Sequence, residues 1–312
     1  MGTRVHFIAY TGATVDEAAT RQALDDAYAE IVRLEGLMSP WKPDSELSRI
    51  NRAAGKPVQV GQDTWNVVWK SLWASERSLG TFDISFAAMN GVWKFGDAAE
   101  KDPKLPDPKL IDERRALIDW RKIHVNSKRH TVQLGAGMSI DLGGIAKGYA
   151  VDRAVAVLKQ AGVTDFLAQA GGDLYGSGRK PDGSPWVSGV QDPRGPEGKF
   201  FATLDLTDHA FSTAGDYARS FVLGGKRYHH IIDPRTGWPA TACRSVTVWA
   251  EDAFTADAID DAIFILGPEK GLALVESVDG AGAVIVDAQN RVHVSKRIAR
   301  AVKTLAEPTD GS

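Results

Sequence analysis

The sequence predicts an α+β fold, and three observations lead to this class. Strand-like and helix-like segments are mixed along the 312 residues without the regular βαβ alternation of a parallel sheet. The composition, 43% hydrophobic and 25% charged, is that of a globular chain able to bury a large core. No internal repeat or low-complexity linker interrupts the chain. Its length alone would suit about two domains.

The first third of the chain has the patterns of one strand and three helices. "RVHFIAY" is typical of a strand, and a helix with one apolar face follows over about residues 15–37. "DSELSRIN" predicts a short helix capped by Asp44. A third helix is expected over residues 64–79, where tryptophans at helical spacing favour a core face over a ligand platform. Its apolar stripe consists of Trp65, Val68, Trp69, Leu72 and Trp73.

The later elements follow a charged, proline-bearing stretch at residues 97–118, which is interpreted as a surface excursion. "SIDLGGIAKGYAVDRAVAVLKQAG" predicts a strand, a double-glycine turn and a helix that ends at Gly162. "DAFTADAIDDAIFILG" predicts a helix closed by Gly267 and Pro268. "AGGDLYGSG" and "FSTAGDYARS" have the composition of turns. Strands are expected at "KIHVN", "HTVQL", "FLAQA", "WVSGV", "ATLDL" and "SVTVWA", with a last hairpin from "GAVIVDA" and "VHVSK".

Charge and cysteine content exclude several classes of function. The 37 basic and 40 acidic residues give a net charge of -3 with no basic run, which argues against nucleic-acid and polybasic membrane binding. Cys243 is the single cysteine, so the chain has no intrachain disulfide and no cysteine-based metal cluster. No apolar run approaches the roughly 20 residues that a membrane-spanning helix needs.

Two segments favour a site for a phosphate and a metal. In "DLGGIAKG", glycines at a helix start would leave backbone N–H groups free for an anion, and Lys147 adds positive charge. The alternative is that these glycines only permit tight packing. In "ADAIDDA", Asp257 and Asp261 lie one helical turn apart with Asp260 beside them, a spacing that suits magnesium. The alternative there is a solvated acidic face.

The segment "HHIIDPRTGWPA" places two of the seven histidines, His229 and His230, before an Asp-Pro-Arg-Thr-Gly turn. Imidazole titrates near neutrality, so a histidine held by a rigid turn is a candidate proton carrier. A buried structural histidine is the alternative for either position. A helix start, a carboxylate pair and a histidine together indicate chemistry on a phosphate-containing ligand.

Eight ordered blocks give the chain a close resemblance to a known family. They are "MGTRV", "LMSPWKPDSELSRIN", "FDISFAAMNGVWKFG", "DLGGIAKGYAVDRA", "AGGDLYGSG", "STAGDYAR", "HHIIDPRTGWPA" and "ADAIDDAIFILG". In these blocks the sequence resembles the ApbE family of FAD:protein FMN transferases. The resemblance implies a fold related to T-fold proteins, with mixed sheets, packed helices and a site between the two halves. It also implies one integrated unit over residues 1–312 with a loose tail at about 305–312.

The resemblance implies a magnesium-dependent cleavage of the FAD pyrophosphate. FMN would pass to a threonine hydroxyl of an acceptor protein as a phosphoester, and AMP would leave. The implied acceptor is a subunit of a membrane redox complex or an exported flavin-carrier domain. The implied base is His230, with His229 structural, and the implied magnesium ligands are Asp257, Asp261 and the carbonyl of Ala146. Arg235 and Thr236 are expected at the acceptor entrance. Flavin and nucleotide contacts are implied for Met38, Ser39, Trp41, Glu46, Lys147, Asp152, Asp173, Thr213 and Gly215.

The chain departs from the family pattern at several positions. Asp261 stands where many members have Thr or Ser, which leaves the number of metal ions open, and Trp41 replaces the usual tyrosine. The block around residues 85–92 is looser than usual, and Ala214 replaces the serine of "TSG". Two other activities stay open: an FAD pyrophosphatase that gives FMN and AMP, and an FAD-binding or storage protein. Members often carry an export signal upstream of this first block, so an exported, periplasmic or lipid-anchored protein is expected, with a cytoplasmic one as the alternative.

Overall fold

The computed structural model describes residues 2–12 and 15–311. Met1 of the first block and Ser312 of the expected tail therefore lie outside the described residues, as do Ala13 and Thr14. The α-helices are α1 (Glu17–Met38), α2 (Glu46–Arg52), α3 (Gln62–Arg77), α4 (Asp97–Lys101), α5 (Pro108–Arg115), α6 (Ala146–Gln160), α7 (Ala253–Leu266) and α8 (Pro268–Glu276). Among them, no helix of the described residues combines the length and the apolarity needed to cross a bilayer.

The strands lie mostly in the second half of the chain. The first nine are β1 (Val5–Ala9), β2 (Val58–Gln59), β3 (His124–Asn126), β4 (Thr131–Gln133), β5 (Phe166–Ala170), β6 (Asp173–Ser177), β7 (Val187–Gln191), β8 (Phe200–Asp205) and β9 (His209–Gly215). The others are β10 (Ser220–Leu223), β11 (Lys226–His229), β12 (Ile232–Asp233), β13 (Trp238–Pro239), β14 (Cys243–Ala250), β15 (Gly282–Asp287), β16 (Val292–Val294) and β17 (Lys303–Thr304).

A central antiparallel sheet, in the order β1-β5-β6-β9-β14-β15-β16, organises the described residues. Helices α6 and α7 pack on one face of it, and α1 packs on α6. On the other face lies a second apolar cluster with the small sheet β17-β8-β7. Alternate residues of β15 enter the two cores, with Ala283 and Ile285 on the helix side and Val284 and Val286 on the other. Both faces of the central sheet are therefore buried.

A third apolar cluster lies outside the central sheet. It joins the hairpin β10–β11 to β12 and β13 and contains Trp93, Phe221, Tyr228 and Ile232. Trp93 donates its indole N–H to the Gly237 carbonyl at 2.9 Å, which ties this cluster to the turn between β12 and β13. The segment "HHIIDPRTG" is thus supported both by this aromatic packing and by the main core, to which Ile231 belongs.

The mixed α+β class is confirmed, while several local expectations differ from the structure. The segment "SIDL" forms no strand, because Asp141 donates its N–H to the Ile84 carbonyl and joins no sheet. The cap of α2 is Ser45 rather than Asp44, with its hydroxyl accepting from the Ser48 N–H at 3.0 Å. Trp69 is 49% exposed, so its side of α3 is a surface.

The glycine-rich segments expected to be turns contain two strands of the central sheet. Asp173 begins β6, and Thr213 and Gly215 lie in β9. Helix α8 and strands β10–β13 and β17 were also not predicted. The end of the chain, expected to be loose, is held by hydrogen bonds from the N–H and hydroxyl of Thr309 to the Asp192 carboxylate.

Candidate active site

Helices α6 and α7 cross closely at Gly148. The Gly148 N–H donates to Asp257 Oδ2 at 2.8 Å. A Cβ at Gly148 would collide with the carbonyl of Ala253, so only glycine permits this crossing. The last glycine of "GGIAKG" thus sets the position of Asp257. This N–H, expected to be free for an anion, is used inside the protein.

Three buried carboxylates meet beneath the crossing. They belong to Asp173 at the start of β6 and to Asp257 and Asp260 on α7, and one oxygen from each lies within 4.8 Å of the others. The Ser212 hydroxyl lies 2.5 Å from Asp173 Oδ1 and 2.6 Å from Asp260 Oδ2. Because a hydroxyl has one hydrogen to donate, both contacts are hydrogen bonds only when one of the two carboxyls is protonated and donates to Ser212.

The electrostatics agree with a shared proton. Burial, together with the charge of Asp257, raises the pKa of Asp173 to about 7. Burial and the neighbouring Asp261 and Asp257 raise the pKa of Asp260 well above its usual value. Like charges in a low dielectric disfavour full ionisation of such a cluster. A cation would offset that cost.

Lys147, on the first turn of α6, supplies one such cation. Its ammonium lies 2.9 Å from Asp257 Oδ1 and 3.1 Å from Asp173 Oδ2. Burial alone would lower the pKa of Lys147, but the carboxylates around it raise that pKa well above the ordinary value. Lys147 is therefore a permanent positive charge in the centre of the site.

The donor set also fits a divalent cation. Asp173 Oδ2 is buried and, although 3.1 Å from Lys147, has no hydrogen-bond partner among the described residues. Asp261 faces the double-glycine turn, since a Cβ at Gly144 would lie 3.4 Å from Asp261 Oδ2. Burial raises the pKa of Asp261 to about 6, despite the opposing charge of Lys147. The site therefore offers the oxygen atoms of four carboxyl groups and the positive charge of one ammonium group, and magnesium prefers oxygen ligands of this kind.

The two adjacent histidines have different surroundings. His229 is buried, with Nε2 2.8 Å from the Ala240 carbonyl and its ring edge-on to Phe264 of α7. Burial lowers its pKa, so the ring is neutral and Nε2 is the donor to Ala240. These contacts match the structural role expected for His229.

His230 is only partly buried, yet its Nδ1 is enclosed and has no hydrogen-bond partner among the described residues. Burial lowers the pKa of His230 to about 4, and the nearby positive charges of Arg219 and Lys147 add to the effect. The imidazole is therefore neutral near pH 7 and has an unused ring nitrogen. A neutral imidazole in electrostatic contact with Lys147 is placed to accept a proton.

Other positions named from the sequence have structural partners. Asp152 accepts from the N–H groups of Ala253 and Phe254, each at 2.9 Å, and so caps the start of α7. Burial and the charge of Asp252 raise the pKa of Asp152 to about 7. Glu46 accepts from the Gly61 N–H at 2.9 Å, at the start of α3. These carboxylates hold helices together.

The remaining named positions divide between surface and core. Trp41 is 91% exposed, while Met38 and Ser39 beside it are buried. The Thr213 hydroxyl is 3.0 Å from that of Thr247, on the sheet face that carries Phe211, and Gly215 lies further along β9. Ala146 is the first residue of α6, and its carbonyl points along the helix, as helical carbonyls do. Gly144 of the preceding turn lies beside Asp261.

Sequence reasoning missed Ser212 and gave Asp260 a secondary place. Ser212 contacts the carboxylates because it lies on the helix side of β9, whereas its neighbour Thr213 points to the other face. Successive side chains of a strand point to opposite faces of the sheet, so this alternation would have assigned Ser212 and Thr213 to different faces. That signal could be used only after "FSTAG" had been recognised as a strand.

Comparisons with known proteins identify the family of the chain. A model of the ApbE family matches residues 1–285. The FAD:protein FMN transferase of Treponema pallidum is 33% identical over 305 residues, which cover 92% of this chain and 83% of the relative. The Klebsiella pneumoniae protein of the same name is 34% identical over 278 residues, 87% of this chain and 79% of the relative.

Solved structures of similar proteins share the fold over nearly the whole chain. The crystal structure of the ApbE protein from Thermotoga maritima has a TM-score of 0.84 and 31% identity, covering 96% of each chain. The flavin transferase ApbE from Vibrio cholerae has a TM-score of 0.83 and 26% identity, again covering 96% of each chain.

Proposed function

The chain belongs to the ApbE family, and on that premise we propose that it transfers FMN from FAD to a threonine hydroxyl of an acceptor protein, releasing AMP. Two features of the site support this best. The first is the buried carboxylate cluster, which forms ion pairs with Lys147, and the second is the Nδ1 of His230, which has no hydrogen-bond partner among the described residues. The proposal assigns the binding of the polyanionic substrate to the first feature and acceptance of a proton to the second.

Magnesium is the cofactor that we propose for the carboxylate cluster. Asp257 and Asp261 would hold it, with Asp173, Asp260 and the backbone of the double-glycine turn around them. The carbonyl of Ala146, the first residue of α6, is a further candidate ligand. When bound, magnesium would neutralise and orient the pyrophosphate oxygens.

The residues of the chain would then act as follows. Lys147 stabilises negative charge on the phosphates. His230 takes the proton of the acceptor hydroxyl, and the hydroxyl oxygen forms a bond to the FMN phosphorus. The pyrophosphate P–O bond breaks, and AMP leaves with the bridging oxygen and takes up the proton. General-base assistance of this kind contributes about 10² to 10⁴ in rate.

Two further parts of the proposal concern the flavin and the location of the protein. The exposed ring of Trp41, beside Met38 and Ser39, would stack on the isoalloxazine.

An exported location follows from the family resemblance alone, and fractionation of cells that express the natural gene tests it.

The experiment that tests the function mixes the protein with FAD, magnesium and a threonine-bearing acceptor domain. Intact mass of the acceptor and release of AMP are measured. We expect a mass gain equal to FMN that is lost in His230→Ala and Asp257→Ala but kept in His124→Ala, an exposed histidine on β3. AMP without acceptor modification would identify a pyrophosphatase. Bound FAD with neither product would identify a binding protein.

A further inference from the structure

The register of the central sheet brings Ser212 directly opposite Asp173. Strands β6 and β9 pair antiparallel with Leu174 opposite Phe211, so the next pair along the two strands is Asp173 and Ser212. Side chains opposite each other in such a pair have their Cβ atoms about 4.5–5.5 Å apart. Both residues are only 1% exposed. The 2.5 Å contact between the Ser212 hydroxyl and Asp173 Oδ1 is therefore fixed by strand pairing inside the core.

Asp260 contacts the Ser212 hydroxyl from the helix layer. Its Oδ2 lies 2.6 Å from Ser212 Oγ, and its Oδ1 accepts from the Asp261 N–H at 2.5 Å. One oxygen of Asp260 is thus held by β9 and the other by the backbone of α7. These contacts suit a support for Ser212 better than an open ligand for a cation.

The two oxygens of Asp173 have different surroundings. Oδ1 contacts Ser212, whereas Oδ2 is buried and has no hydrogen-bond partner among the described residues. The Lys147 ammonium lies 3.1 Å from Oδ2, but it is shared with Asp257 Oδ1 at 2.9 Å. A buried carboxylate oxygen that accepts no hydrogen bond is costly unless a positive charge reaches it. With Oδ1 held by Ser212, Asp173 Oδ2 is left open to a cation.

We propose that Ser212 is a positioning residue of the magnesium site, and that its hydroxyl, supported by Asp260, holds Asp173 through Oδ1 so that Oδ2 binds the cation. The proposal rests on the magnesium site of the proposed function and adds Asp173 to its ligands. Ser212 does not touch the cation and acts only through Asp173. Groups that orient a metal ligand in this way contribute about 10- to 100-fold to metal affinity.

The test measures metal binding by the full chain without FAD or acceptor. Calorimetry reports the binding of Mg²⁺, and the EPR signal of free Mn²⁺ gives an independent measure. We expect Ser212→Ala to weaken binding by about 10- to 100-fold. Thr213→Ala is the matched control and should leave binding unchanged, because the hydroxyl of this neighbouring residue contacts Thr247 on the other face of the sheet. Tm in the presence of EDTA separates a loss of affinity from a loss of stability.

Two further variants test whether Ser212 acts through Asp173. Asp173→Asn should weaken metal binding at least as much as Ser212→Ala does. The double variant should bind like Asp173→Asn alone, within about twofold, because a group that acts only through Asp173 adds nothing once Asp173 is changed. Asp260→Asn should lose less than about threefold, since its amide oxygen can accept from the Asp261 N–H and its amide N–H can donate to Ser212.

Wild-type affinity in Ser212→Ala, an equal loss in Thr213→Ala or additive losses in the double variant would overturn the proposal and leave the magnesium site and the transfer reaction in place. A loss in Asp260→Asn as large as that in Asp173→Asn would also overturn it, because Asp260 would then be a ligand itself. Wild-type protein that binds neither metal would remove the cofactor from the proposed function and the role of Ser212 with it. Ser212-dependent metal binding without FMN transfer would support the positioning role and contradict the proposed function.

Discussion

The carboxylate cluster and the His230 hairpin, which we propose as the two sides of one site, are built in opposite ways. Asp173, Asp257 and Asp260 are buried between the central sheet and α7, and each is fixed by core elements. His230 follows a two-stranded hairpin supported by an aromatic cluster outside that sheet. The side proposed to bind the phosphates is therefore preorganised inside the core, while the side proposed to admit the acceptor protein lies outside the central sheet.

Burial shifts pKa values on both sides, upward for the carboxyl groups and downward for the histidine. Burial raises the pKa of Asp173 to about 7 and that of Asp261 to about 6, and it lowers the pKa of His230 to about 4. In each case the neutral form is favoured. For the acids this reserves ionisation for the arrival of a cation, and for the histidine it keeps a proton acceptor available.

The largest effect is expected at the centre of the buried side. Asp257→Asn removes a charge that contacts Lys147 and the Gly148 N–H and that the proposed magnesium needs. We expect FMN transfer to fall by at least about 10³-fold, measured as initial rates over a magnesium titration. Asp205→Asn, at an exposed carboxylate of β8, is the control. A loss of less than tenfold would contradict the central role of Asp257.

On the open side, His230→Gln should lower the rate by about 10² to 10⁴, the usual contribution of a general base. The affinity for FAD should stay within twofold, because the proposed role concerns the acceptor hydroxyl. Single-turnover transfer and an FAD-binding titration measure the two quantities. Equal losses in both would show that His230 binds the dinucleotide instead.

The pH dependence separates the two sides directly. The carboxyls of raised pKa take up protons as pH falls from about 7 to 6, so magnesium affinity should weaken by about tenfold per unit for each proton displaced. At saturating magnesium the rate should stay flat to about pH 5, since His230 with its pKa near 4 remains unprotonated. A rate that halves near pH 6.5 under those conditions would indicate an ordinary histidine.

A smaller effect is expected at Trp41. Its ring is 91% exposed and contributes little to the core, so Trp41→Ala should leave Tm unchanged. Stacking worth about 0.5–1.5 kcal/mol predicts a Kd for FAD about two- to twelvefold higher. Trp41→Tyr should retain most of the affinity. Fluorescence titration measures these values, and a Kd equal to wild type in Trp41→Ala would remove the ring from the flavin site.

The smallest effect on activity is expected at Asp152. This carboxylate caps α7 through the N–H groups of Ala253 and Phe254. Asp152→Ala should destabilise the protein by about 1–2 kcal/mol and leave the Kd for FAD unchanged. Denaturant unfolding and FAD titration test this capping role. The nucleotide contact that the sequence suggested predicts the reverse, with an unchanged free energy of unfolding and a higher Kd for FAD.

Local sequence patterns determined the helices and the candidates for chemistry. The apolar faces of α1 and α6 and the aspartates of α7 are repeated at helical spacing, and a helix satisfies its hydrogen bonds within its own segment. Short motifs pointed to the carboxylate pair, Lys147 and the double histidine, and the order of the motif blocks then identified the family. These features need no information about distant parts of the chain.

Only the tertiary structure decided which of these groups meet. Ser212 contacts Asp173 across 39 residues and Asp260 across 48, and Asp152 caps a helix that begins 101 residues later. Strands β6 and β9 contain glycines and polar residues that are typical of turns, and they become strands because each is paired inside the central sheet. Such pairing depends on long-range hydrogen bonds and on burial of both sheet faces, so no local window of this sequence could select Ser212 over Thr213 or assign Asp152 to a helix cap.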